Sequence, residues 1–94
     1  MSDVAIYTQP SCPYCSHAKA LLESRQIAYE ELDVSGDPQV LTEMIERTGG
    51  RTFPQIMVGN QAIGGFDDLR SLDSNGELLP LLQTQRGKTD TGGI

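Results

Sequence analysis

An α/β fold with a four-stranded mixed sheet, its elements ordered β-α-β-α-β-β-α, is the class this sequence predicts, and three observations predict it. Short β-forming runs alternate with segments of helical apolar periodicity, and the helix between the first two runs has the length that parallel pairing requires. Two later runs are separated only by Gly59-Asn60, a two-residue hairpin turn. The chain is 94 residues long, enough for one domain around one core.

In order, Val4-Ala5-Ile6-Tyr7-Thr8 reads as a buried strand that stops at Gln9-Pro10-Ser11. From Tyr14 to Arg25, Cys15, Ala18, Leu21 and Leu22 recur at helical spacing while Lys19, Glu23 and Arg25 fall elsewhere, and Pro13 suits the first turn. A second β-like stretch covers 27–34. Asp37 then caps a helix whose first residue is Pro38, whose apolar positions are Val40, Leu41, Met44 and Ile45, and which ends near Gly49. Gln55-Ile56-Met57-Val58 and Gln61-Ala62-Ile63 form the hairpin. Gly64-Gly65 precedes a final helical region with Leu69, Leu72, Leu78, Leu79, Leu81 and Leu82 on its apolar faces. Residues from Gln83 to Ile94 lack such a face and are expected to fray, which sets a folded domain at 1–83 and a flexible tail at 84–94.

Composition narrows the function. A formal net charge of -6, with seven Lys and Arg, argues against nucleic-acid binding, which needs a basic surface. No stretch approaches the ~20 apolar residues of a membrane span, and the N-terminus has no basic or apolar leader pattern, so a cytoplasmic location is expected. Two cysteines are too few for a secreted disulfide scaffold.

Their spacing carries the chemistry. Cys12-Pro13-Tyr14-Cys15 lies between a strand and a helix, where a C-x-x-C pair is a redox candidate. At i and i+3 around a helix start, a sulfur joined to Cys12 can be displaced by Cys15 with little backbone movement. Only thiolate attacks a disulfide, and free cysteine, with a pKa of about 8.5, is mostly protonated at neutral pH. Unpaired N–H groups and the positive potential of the helix N-terminus favour a sulfur anion at Cys12, the nucleophile; Cys15 lies deeper and is the resolving thiol. Structural zinc is the competing use of such a pair, but it needs four ligands and only His17 is available to join the thiols, so no metal is expected. His17 reads as a solvated or partly packed helix residue.

Thr52-Phe53-Pro54 precedes a strand, where proline is tolerated as an entry residue; a cis bond there would in addition present the Phe53 N–H and C=O to an extended thiol peptide. Gly64-Gly65-Phe66-Asp67-Asp68 opens a helix. Its acids suit capping, and the segment also suits a ligand carboxylate on its amides and an ammonium on Asp67.

These three separated motifs, in this order, resemble those of a glutaredoxin of the dithiol class, of the small bacterial kind, over about residues 3 to 82. The resemblance implies a thioredoxin-like fold and a glutathione-dependent thiol-disulfide oxidoreductase that reduces protein disulfides and glutathione mixed disulfides. It implies glutathione as co-substrate, disulfide-bearing or glutathionylated proteins as clients, and a monomer. Residue by residue, it places Tyr14, Thr52, Phe53, Pro54, Gly65, Phe66, Asp67 and, more weakly, Asp68 at the glutathione site. Two departures stand out: Gln9 occupies the place of a common lysine three residues before the nucleophile, with Arg51 a candidate replacement for that cation, and Phe53 replaces a smaller β-branched residue. A thioredoxin would share the fold but not the segment Gly64 to Asp68 or Tyr14. An iron-sulfur carrier would use Cys12 with glutathione thiols, but the resemblance implies that this role favours relatives with a small residue in place of Pro13 and no second cysteine. A non-catalytic binding module would not need Cys12 for its activity.

Overall fold

In the computed structural model, residues 3–82 are described. Four strands, β1 (Val4–Thr8), β2 (Tyr29–Asp33), β3 (Gln55–Val58) and β4 (Gln61–Gly64), alternate with three helices, α1 (Pro13–Ser24), α2 (Pro38–Thr48) and α3 (Phe66–Ser74), in the predicted order. A further helical turn occupies 78–82. The tail expected at 84–94 lies outside the described residues.

The sheet runs β2-β1-β3-β4, with β1 parallel to β2 and the other two pairings antiparallel. The central strand β1 shows why both faces need cover. Its alternate side chains Val4 and Ile6 join Ile56 and Val58 of β3 under α1 and α3, packing with Ala18, Leu22, Leu69, Leu78 and Leu82. Tyr7, with Met57, faces the other way and packs with Met44 of α2 and Val34. Tyr7 is fully buried, so its hydroxyl needs partners: it donates to Glu43 Oε2 (2.8 Å) and accepts from Arg47 Nη1 (2.7 Å), tying α2 to the sheet. The edge strand β2 exposes Glu30, Glu31 and Asp33, charges that discourage pairing with another chain.

Local signals set the element ends. Asp37 Oδ1 accepts from the N–H groups of Gln39 and Val40 at the start of α2, and Gly49 ends that helix at φ 74°. The hairpin turns at Gly59-Asn60, with Val58 opposite Gln61. Two expectations are refined. β2 is shorter than the 27–34 run, because Ile27 N–H instead closes the end of α1 on Leu22 O. The last helical region is broken at Asn75-Gly76, where Gly76 turns at φ 74° and lets Leu78 and Leu82 return to the core beside Leu69.

Candidate active site

The cysteine pair sits where β1 hands over to α1. Ser11 is in the left-handed region at φ 63°, turning the chain so that Cys12 becomes the N-cap of α1 and Pro13 its first residue. Cys12 Sγ accepts the Cys15 N–H at 3.2 Å, one of the helix-start donors that would otherwise lack a partner.

Both cysteines are free thiols, but their settings differ. Cys12 is half-buried, whereas Cys15 is only 3% exposed. Burial pushes the Cys15 thiol up to about 11; a hydrogen bond to Cys12 adds to this, while a main-chain bond from Gln9 and the charge of Lys19 oppose it. At neutral pH Cys15 is therefore a protonated reserve behind an accessible sulfur. Among the described residues, no group of three or more His, Cys, Asp and Glu is placed to hold a metal ion.

The Phe53-Pro54 peptide bond is cis, and the Phe53 carbonyl faces the first cysteine: Cys12 Sγ donates to it at 3.7 Å. Of the Phe53 N–H and C=O expected to face a thiol peptide, the C=O is thus engaged by Cys12 in this structure. The carbonyl is occupied by the thiol proton and comes free when Cys12 ionises or forms a disulfide. Phe53 N–H has no partner among the described residues.

Tyr14, Thr52, Phe53, Pro54, Gly65, Phe66, Asp67 and Asp68, chosen from three separate stretches of sequence, line one groove of about 300 Å³. The Tyr14 and Phe66 rings stack across it, with centroids 6.1 Å apart. His17 braces both, with its ring 6.2 Å from that of Tyr14 and 5.7 Å from that of Phe66, so it is exposed yet packed, in keeping with the reading from sequence. Thr52 Oγ1 accepts from Gln55 Nε2 at 3.1 Å, anchoring the loop to β3. Asp67 and Asp68 are both exposed, and their surroundings differ. Asp68 Oδ2 accepts the Gly65 N–H (3.1 Å) as a helix cap, while Asp67 has no partner among the described residues and is available to a ligand.

The remaining candidates fall elsewhere. Gln9 lines a second recess, with Cys12, Cys15, Lys19 and Glu31, and Arg51 is exposed but lines neither cavity. Lys19 and Glu31 went unnoticed as site residues in the sequence. Lys19 was findable as the residue four beyond Cys15 on one helix face; Glu31 was not, since only the parallel pairing of β1 and β2 brings it there. A larger hollow of about 560 Å³ between β4 and α3 contains neither cysteine.

Residues 4–63 match the family model described as Glutaredoxin. The chain is 49% identical over 83 residues to Glutaredoxin 3 of Escherichia coli strain K12, covering 88% of this chain and 100% of that one. It is 48% identical over 84 residues to Glutaredoxin 1 of Rickettsia typhi, covering 87% and 81%. Among solved structures, glutaredoxin from Brucella melitensis is 50% identical, with a TM-score of 0.76 and coverage of 89% and 91%.

Proposed function

The chain belongs to the glutaredoxin family of thiol-disulfide oxidoreductases, and from that premise we propose that it reduces glutathione mixed disulfides and protein disulfides using glutathione, with Cys12 as nucleophile and Cys15 as resolving thiol. The observation that carries this reading is the groove: a cradle lined by Tyr14, Phe53, Phe66 and Asp67 beside an ionisable sulfur.

Glutathione bound there places its cysteine alongside Phe53. Loss of the Cys12 proton frees the Phe53 carbonyl to accept the ligand's N–H, and the Phe53 N–H donates in return, a short strand-like pairing. The γ-glutamyl carboxylate meets the first amides of α3, and its ammonium meets Asp67. The Tyr14 and Phe66 rings wall in the aliphatic stem. Cys12 thiolate then attacks the glutathione sulfur of a mixed disulfide, and the client leaves as a thiolate.

Two ways remain to clear Cys12. A second glutathione attacks the bound one, or Cys15 displaces it and forms the Cys12–Cys15 disulfide, which glutathione later reduces. A protein disulfide takes the second route. The dithiol state suits a reducing compartment such as the cytoplasm, and the protein acts as a monomer. Residues 1–83 form the functional unit.

Turnover of a glutathionylated peptide, coupled to NADPH through glutathione reductase, tests the reading. Wild type should turn over, Cys12→Ser should lose all activity, and correctly folded wild type without glutathione-dependent activity would overturn it.

A further inference from the structure

The second recess, about 520 Å³, shares no lining residue with the glutathione groove, and both cysteines open onto it. Its wall carries a chain of three side chains. Lys19 Nζ donates to Glu31 Oε2 at 3.0 Å, and Thr8 Oγ1 donates to the same oxygen at 2.8 Å. Thr8 is buried in the central strand, so it holds Glu31 from below, and Glu31 holds Lys19. Lys19 lies one turn beyond Cys15 on α1, on the same helix face.

Stability does not explain this arrangement. The two charged side chains are 29% and 39% exposed, and such pairs contribute less than about 1 kcal/mol. The chemistry of Cys15 does. A buried thiol must become a thiolate before it can attack, and Lys19 is the cation that lines the recess onto which it opens; Glu31 and Asp33 of β2 and Cys12 itself are the other ionisable groups there. Hydrogen bonds from Thr8 and Lys19 hold the Glu31 carboxyl below its ordinary range, so it stays anionic and keeps the Lys19 ammonium in place.

We propose that Lys19, oriented by Glu31 and Thr8, steadies the Cys15 thiolate when Cys15 clears Cys12, and that the recess is the route by which the Cys15 proton reaches water. The proposal rests on Cys15 being the resolving thiol. In that step the Cys15 S–H proton passes to water and the thiolate attacks Cys12 Sγ. The bond between Cys12 and the attached sulfur breaks, that sulfur leaves reduced as a thiolate, and the two cysteines become a disulfide. Lys19 acts on Cys15 through its charge; Glu31 and Thr8 are positioning residues.

The test is a stopped-flow reaction of the reduced protein with 5,5′-dithiobis(2-nitrobenzoate), which needs no glutathione and so stands whether or not the glutathione reading does. Cys12 releases the first coloured thiolate in a phase proportional to reagent; attack by Cys15 releases the second in a reagent-independent phase. Removing the Lys19 charge raises the Cys15 pKa, and a rise of about one unit sets the scale of the effect. Per unit, the thiolate fraction falls about tenfold and nucleophilicity recovers by about 2.5- to 3-fold, so the second phase should slow about three- to fourfold at neutral pH. Lys19→Met should show this slowing, a pH profile of the second phase displaced upward and an unchanged first phase, which also certifies the fold. Lys19→Arg should restore the rate. An unchanged second phase, equal slowing of both phases, or Lys19→Arg behaving like Lys19→Met would overturn the proposal.

Discussion

Gly64→Ala probes how the far wall of the groove is built. Gly64 has φ 118°, a conformation costing a residue with a Cβ about 1–3 kcal/mol. A Cβ there would also overlap Asp68 Oδ2 and lie 2.9 Å from Asp68 Cγ. The carboxylate can swing away only by releasing the Gly65 N–H, a cap worth about 1 kcal/mol. The expected loss is therefore about 2–4 kcal/mol, which in a domain of this size lowers the melting temperature by roughly 10–25 °C. Asp68→Ala alone should cost only about 1 kcal/mol. The double variant decides the reasoning: with the carboxylate already gone, its Gly64→Ala step should cost only the backbone strain, so the two losses fall short of additivity by about 1 kcal/mol. Denaturant unfolding of the four proteins measures this. Strict additivity, or a Gly64→Ala loss below about 0.5 kcal/mol, would refute the account.

Asp67→Asn removes the charge available to an ammonium while leaving the helix start in place, so KM for a glutathionylated peptide should rise about tenfold with kcat kept; a fall in kcat alone would count against Asp67 as a ligand group. Cys15→Ser should keep turnover on glutathionylated peptides, where a second glutathione substitutes, and lose it on protein disulfides, which steady-state assays of both substrates will show. Cys15 also predicts a pH effect: burial raises its thiol to about 11, so the folded state binds its proton more tightly than the unfolded one. That stabilisation is complete below pH 9 and is lost as pH rises toward 11, and melting curves of reduced protein should fall more steeply across that window for wild type than for Cys15→Ser. A chain ending at residue 83 should match the full chain in activity, measured by the same coupled assay.

Much of the fold was legible because its signals are local. Pro38 after Asp37, Gly49 after the last apolar turn of α2 and the pair Gly59-Asn60 each specify a helix or hairpin end within a few residues, and each end stands where those residues put it. Ile27 was harder. Its β-branched character fits a strand, but its N–H closes α1, and the competition between those two partners is settled in three dimensions. The break before Leu78 was equally hidden, since Leu72 and Leu78 look alike in a periodic pattern and only the need to return Leu78 to the core turns the chain at Gly76.

What the sequence determined by itself is the order of the elements and the placement of Cys12 at a helix start with Cys15 one turn inward, because both follow from neighbouring residues and the periods of strand and helix. Tertiary structure decided the rest of the site. It brought the Phe53 carbonyl to Cys12 across 41 positions of sequence, joined three motifs into one groove, gave Asp68 to a cap while leaving Asp67 without a partner among the described residues, and paired Lys19 with Glu31 beside Cys15. Each of these depends on which strands pair and which helix lies over them, and that choice is made by burying the whole core together, which no short stretch of chain encodes alone.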